Sequence, residues 1–299
     1  MATLKTKLEK PNTKLQGGFE RLALDGRAVR GERPCVRAGS LSGVWSLVFG
    51  AFLLGAALVQ SSFAQNQAAT PAEAFSNRVY RLYIKSKQNW QGNGTNAEAA
   101  WQFARACFDW ADYATTDAKR AAIADEGIAA SRQAIVLEPK SAQAHLYLGM
   151  NLGQLARTKL LSALGNLDEM EAAWKKSIEL DAKYDHAGAH RSLGLLYLDA
   201  PGWPASIGSK KKAREQLEKA VELYPEYPGN RLCLLDALLK WGETKTVLDQ
   251  INPVEAVLKS ARTNLTGEAW ARDWQEWDER WQKIKSKAGV ANARSPDDR

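Results

Sequence analysis

The sequence predicts an all-α fold, a solenoid of elongated helical hairpins finished by a C-terminal capping helix, and three observations carry that prediction. The first is a repeat. Gly127, Ser131, Ala134, Leu137 and Pro139 return 43 residues later as Met170, Trp174, Ser177, Leu180 and Ala182, and after 43 more as Ala213, Leu217, Ala220, Leu223 and Pro225. Small and large residues at a fixed period, ending at a proline in two of the three copies, are what a helix needs to nest on a neighbour and then stop. The second is an opening helix before two of these closing helices: His145-x2-Leu148-Gly149-x2-Leu152 and His190-x2-Leu193-Gly194-x2-Tyr197. Its glycine lets the paired helix come close. The third is a stripe of Trp270, Trp274, Trp277 and Trp281 on one face of a final helix, as expected of the element that seals the last groove of an array, with an aromatic ligand platform as the competing reading.

Taken in order, residues 1–43 are polar and basic, with neither helical nor strand period. Residues 44–60 are a long uncharged apolar run behind Arg30, Arg33 and Arg37, and Ser62-Phe63-Ala64 supplies small residues at the −3 and −1 positions of a cleavage site. This reads as a secretory signal removed after Ala64; a run of this length is at the lower limit for a retained single-pass anchor, which is the alternative. Residues 1–64 are therefore expected to be a basic leader and signal, 65–96 a linker and N-terminal helix, 97–287 the repeat domain, and 288–299 a disordered tail.

Within the repeat domain, Trp101-x2-Ala104-Arg105-x2-Phe108 reads as the first opening helix with its Leu-Gly pair degraded, so three hairpins fill about 97–225. Tyr227-Pro228-Gly229 then turns the chain into a helix from about Asn230 to Trp241, with Leu232, Leu235, Leu238 and Leu239 as its stripe. Asn252-Pro253 reads as a break before a weaker helix to Thr263, and the last helix is expected over about Thr266 to Lys287. The Leu-Gly opening helices and the closing pattern resemble the tetratricopeptide repeat. That family's unit takes about 34 residues, and the longer period here places extra chain between the two helices, at Asp112–Arg120, Gln154–Asp168 and Asp199–Ser209. Insertions at equivalent points share one edge of a solenoid, which makes these three expected loops candidate binding elements.

The third insert is the most distinctive, because Pro201 and Pro204 fix the backbone around Trp203 and Gly202 and Gly208 permit turns. A tryptophan held on a rigid loop loses little entropy on binding and suits recognition; folding back as a plug over the hairpin is the competing reading. This loop and the Lys210-Lys211-Lys212 helix behind a signal resemble the T-component of tripartite ATP-independent periplasmic (TRAP) transporters, over about 140–230. The resemblance implies an exported repeat protein that docks a periplasmic solute-binding subunit. It also implies a ligand site near Trp203 with His190 and Arg191, and the candidate residues are Pro201, Trp203, Pro204, His190, Arg191 and Tyr197.

Charge and chemistry narrow the function. Of the formal net charge of +7, the leader carries nine Lys/Arg against four Asp/Glu, leaving a nearly neutral body without the basic stripe a nucleic-acid binder needs. Cys107 and Cys233 sit among apolar residues and are expected to be buried free thiols. Gly39-Ser40-Leu41-Ser42-Gly43 lacks the strand-turn-helix setting of a nucleophile elbow. His186 and His190, four apart, have the spacing of two metal ligands on one helix face, but no third ligand is evident, and packing accounts for His145 and His190. No cofactor, metal or catalytic set is expected. The reading is a non-enzymatic, periplasmic or secreted adaptor that binds another protein, with the membrane touched only through an uncleaved signal. Its alternative is a small-molecule-binding component of a TRAP-type transporter.

Overall fold

The computed structural model describes residues 71–158, 165–202 and 204–290; the leader, the predicted signal and Trp203 lie outside the described residues. Eleven helices follow one another among them: α1 (Pro71–Gly92), α2 (Ala97–Ala111), α3 (Asp117–Leu137), α4 (Ala142–Ala156), α5 (Leu167–Asp181), α6 (Tyr184–Asp199), α7 (Lys210–Leu223), α8 (Pro228–Lys240), α9 (Thr244–Asp249), α10 (Ile251–Asn264) and α11 (Ala271–Lys287). None is long and apolar enough to cross a membrane. The architecture is an all-α solenoid of tetratricopeptide-like hairpins, α2/α3, α4/α5 and α6/α7, with α8 as a fourth opening helix.

Four helices start on side-chain caps that take up an otherwise unpaired backbone N–H. Asn96 accepts from Ala99 N at 3.1 Å, Thr116 from Lys119 N at 3.2 Å, Ser141 from Ala144 N at 3.2 Å and Ser209 from Lys212 N at 3.3 Å. The repeat register holds at its first three positions. Gly127, Met170 and Ala213 are buried, as are Ser131, Trp174 and Leu217, and Ala134, Ser177 and Ala220. The fourth position, Leu137, Leu180 and Leu223, stays partly or largely exposed. Each Leu-Gly glycine receives the large side chain of its closing helix: a Cβ on Gly149 would lie 2.5 Å from Trp174 Nε1, and one on Gly194 2.7 Å from Leu217 Cγ. The Trp174 indole N–H donates to the Leu146 carbonyl at 3.2 Å, so the side chain that fills the glycine's gap is also satisfied there.

Helix α1 is part of the packed array. Tyr83 and Trp90 pack on Phe103 of α2, and Tyr83 and Lys87 both bond Glu126 of α3 at 2.7 Å. Cys107 and Cys233 are buried free thiols, and burial pushes the Cys107 thiol up.

Several expectations about boundaries change. The first insert is only partly loop: residues 112–116 link the two helices, while α3 begins at Asp117 and runs 21 residues, against 15 in α5 and 14 in α7, so the rest of the extra chain lengthens a helix. Asn252-Pro253 falls in the first turn of α10 and breaks nothing, because a proline there forfeits no helical hydrogen bond. Helix α11 starts at Ala271 rather than near Thr266, since Gly267 adopts φ +84°, outside the helical region.

Candidate functional site

The opening helices α2, α4, α6 and α8 form one side of the solenoid, and α11 runs back across it. Along it, Trp277, Trp281 and Ile284 are buried against Leu232, Leu235 and Leu238 of α8 and Val254 and Leu258 of α10, and Trp270 and Trp274 pack against the same cluster. Arg280 bonds Asp236 of α8 at 2.7 Å. Its N-terminal end reaches the first hairpin, where Arg272 lies 3.6 Å from the Asp112 carboxylate and 4.7 Å over the Tyr113 ring. Just before the helix, Glu268 pairs with Arg78 of α1 at 3.3 Å.

Asp112 is the anchor of this crossing. Its Oδ1 accepts from Arg157 at 2.7 Å and from Gln154 at 2.9 Å, joining the C-terminal ends of the first two opening helices. Burial pushes the carboxyl up from the usual range, and the two guanidiniums, Arg157 before Arg272, oppose that shift.

Between α11 and the opening helices lies a cavity of about 240 Å³, lined by Arg105 of α2, by Asp185, His186 and Arg191 of α6, by Tyr227, and by Trp270 and Asp273 from the C-terminal segment. Its wall contains a backbone feature that sequence reading missed. Asp185, His186 and Ala187 all adopt left-handed conformations, with φ of 52°, 55° and 60°. Left-handed turns cost non-glycine residues roughly 1–2 kcal/mol each, and persist where the surroundings over-determine them. Here Asn230 Nδ2 donates to the His186 carbonyl at 3.0 Å and Arg191 donates to Asn230 Oδ1 at 2.8 Å. Arg191 also lies 3.5 Å from the Asp185 carboxylate and 5.3 Å over the Tyr227 ring. The turn stacks the His186 imidazole on Tyr227 at 4.3 Å and sets it edge-on to Trp270 at 6.0 Å.

That turn also separates the two histidines. His186 precedes the regular part of α6, so it shares no helical face with His190, and the four-residue spacing does not place two ligands together. Among the described residues no group of three or more His, Cys, Asp or Glu is placed to hold a metal.

The sequence-derived candidates fall in different places. Arg191 lines the cavity. His190 is buried between α6 and α7, with Nδ1 2.8 Å from Gln216 Oε1, and burial holds its imidazole below the ordinary value. Tyr197 is buried further along α6, donating to Glu171 of α5 at 2.5 Å beneath Lys212. Pro201 and Pro204 belong to the loop beyond the helix, whose neck closes where Gly208 N donates to the Pro201 carbonyl at 2.8 Å. A Cβ on Gly208 would meet the Ala200 carbonyl oxygen at 2.1 Å, so only glycine fits that neck. Asp112, Asp185, Asn230 and Trp270 were not singled out as site residues, and His186 was weighed only as one of a pair of metal ligands. Trp270 had a signal as a member of the tryptophan stripe.

The fold and this inner face define a tetratricopeptide-like repeat scaffold. The chain is similar to the crystal structure of a thermophilic TPR protein from Thermus thermophilus, with a TM-score of 0.50 and 16% identity, over 71% of this chain and 95% of that one. Identity at that level speaks to fold alone. Residues 63–200, less than half of the chain, match the family model described as regulator of microtubule dynamics protein 1-3. No curated protein matches.

Proposed function

We propose that this chain is a non-enzymatic, exported repeat adaptor that binds a partner protein on its inner face. One observation carries the reading: charged and aromatic side chains of α2, α6 and the start of α8 line a common cavity, and that cavity already accommodates an α-helix, α11. Helical-repeat scaffolds use such faces to bind other chains. The family-model match supports the interaction role, and it begins at residue 63, beside the cleavage site expected after Ala64. The partner in this reading is a periplasmic or secreted protein, with a TRAP-type solute-binding subunit as the specific candidate. The loop from Pro201 to Gly208 supplies a second contact through Trp203.

A second reading is favoured by the cavity itself: a small-molecule-binding component of a TRAP-type transporter, with the solute held under α11. The space of about 240 Å³ is just below the usual size of ligand pockets, about 300–1,000 Å³. Affinity capture from the periplasmic or secreted fraction separates the two. The adaptor reading expects a stoichiometric protein partner whose binding falls by at least ~2 kcal/mol in Arg105→Ala, the range of an interface hot spot. A co-purifying small molecule with no protein partner under mild conditions would establish the second reading instead.

A further inference from the structure

The cavity beneath α11 has a fixed roof, because Trp277 is buried and Trp270 and Trp274 pack against the apolar cluster. Whatever occupies it enters at the rim. Two lining residues are partly exposed there: Arg105 of α2, with 37% of its side chain accessible, and Asp185 of α6, with 29%. They carry opposite charges, and so does the rest of the lining. Arg191 and Arg280 are committed within the protein, Arg191 to Asn230 at 2.8 Å and Arg280 to Asp236 at 2.7 Å. Arg105 is held more loosely, since its Nε stands 4.0 Å from the Asp109 carboxylate, beyond hydrogen-bond range. On α11, Asp273 and Glu276 lie three apart on one face and both line the cavity. The left-handed turn at Asp185–Ala187 brings Asp185 and His186 into the same wall, and backbone strain of that kind gathers at ligand sites.

We propose that this cavity binds a small zwitterion, an amino acid or a betaine, with its carboxylate on Arg105 and its cationic nitrogen among Asp185, Asp273 and Glu276 beside the rings of Trp270 and Tyr227. This rests on the small-molecule reading above and adds the solute's chemistry. A guanidinium takes a carboxylate in two-pronged geometry. Each side-chain carboxylate offers about four acceptor sites, so Asp185, Asp273 and Glu276 can take up a ligand cation in addition to the contacts they already make. An anion alone meets three carboxylates, and a cation alone meets the Arg105 guanidinium, so one molecule carrying both charges fits the lining better than either. The space of about 240 Å³ holds such a molecule and excludes a large one. Primary and quaternary nitrogens share this chemistry, the first through hydrogen bonds to carboxylates and the second through attraction to aromatic faces.

The test screens the full chain by thermal shift against the common L-amino acids and glycine betaine. Each hit is then titrated by calorimetry beside its two single-charge counterparts, the amine lacking the carboxylate (choline for betaine) and the acid lacking the nitrogen. A zwitterion should bind saturably and its counterparts about tenfold more weakly or worse, the size of one lost charged hydrogen bond. Arg105→Ala should lower the zwitterion to the level of its amine counterpart and leave the amine unchanged, whereas a merely structural role would weaken both. Asp273→Asn should weaken the zwitterion and the amine together and spare the acid. Should a variant fail to fold, the comparison of zwitterion with counterparts on the wild-type chain decides alone. A preference for amino acids or for betaine tells which kind of nitrogen the site takes, and either supports the proposal. No saturable zwitterion, a counterpart that binds as tightly, or an equal loss of amine binding in Arg105→Ala overturns it. Mass spectrometry of what the denatured protein releases separates the two failures: a neutral or singly charged molecule sinks the zwitterion and keeps the small-molecule reading, while no molecule by either route sinks both.

Discussion

Two glycines four residues apart on α4 give opposite predictions for the same substitution. Alanine is better than glycine in a helix interior by ~1 kcal/mol, so Gly153→Ala, whose new Cβ would find Met170 Cε at an ordinary 3.5 Å, should gain about that much. At Gly149 the Cβ would stand 2.5, 2.6 and 2.9 Å from three atoms of the Trp174 indole. The ring cannot move aside cheaply: it is 0% exposed and tied to the Leu146 carbonyl. Overpacking costs about 1–3 kcal/mol, and displacing the indole N–H from its acceptor adds about 1–3 kcal/mol for a buried unmet donor. Against the helical gain, Gly149→Ala should destabilise by about 1–5 kcal/mol, which for a domain of this size is about 2–4 °C in Tm per kcal/mol. Urea denaturation of the two variants beside wild type measures both signs. The first closing helix has Ser131 where the second has Trp174, so Gly149→Ala combined with Trp174→Ser should couple, costing less than the two changes summed. If Gly149→Ala proves as stable as Gly153→Ala, the close helix approach inferred from the Leu-Gly motif is refuted.

Asp112→Asn removes the charge shared by Arg157 and Arg272 and should cost about 3–5 kcal/mol, as for a broken buried pair; an unchanged urea midpoint would show that this carboxylate is not the anchor. His190 is held below its ordinary pKa by burial, so the unfolded chain binds the proton more strongly; its contribution to stability should fall as pH drops below about 6.5. His190→Gln should flatten that part of the profile, and because Asp112 shifts with the opposite sign, the variant-minus-wild-type difference is the quantity to follow. Trp203→Ala should weaken partner binding by ~2 kcal/mol with Tm nearly unchanged; a large fall in Tm with binding intact would make Trp203 a plug. If the chain is exported as proposed, N-terminal sequencing should begin at Gln65, and a start at Met1 in a membrane fraction would mean a retained anchor.

How much of this was legible depends on the range of the physics involved. Helix nesting repeats locally, so the spacing of Gly127, Met170 and Ala213, and of Gly149 and Gly194 opposite Trp174 and Leu217, fixed the hairpins, their partners and the all-α class before any coordinates. The first insert misled because extra residues between two motifs do not say whether they coil or extend a helix; Asp117 onward extends α3. Likewise, a four-residue histidine spacing implies one face only if the backbone is right-handed, and the turn at Asp185–Ala187 is not.

The inner face was not legible at all, and the reason is distance along the chain. Asp112 meets Arg272, His186 meets Tyr227 and Trp270, and Asn230 holds the His186 carbonyl, each across tens of residues with no shared period. The tryptophan stripe announced a closing helix, but its direction was decided by tertiary packing: Trp277 and Trp281 are buried in the apolar cluster with α8 and α10, and Arg272 at the other end meets Asp112 of the first hairpin. The sequence by itself thus determined the repeat, because nesting a small residue against a large one is a neighbour-to-neighbour demand that every unit must meet. Only the tertiary structure decided what fills the face those units enclose, because that depends on where the superhelix returns the two ends of the array.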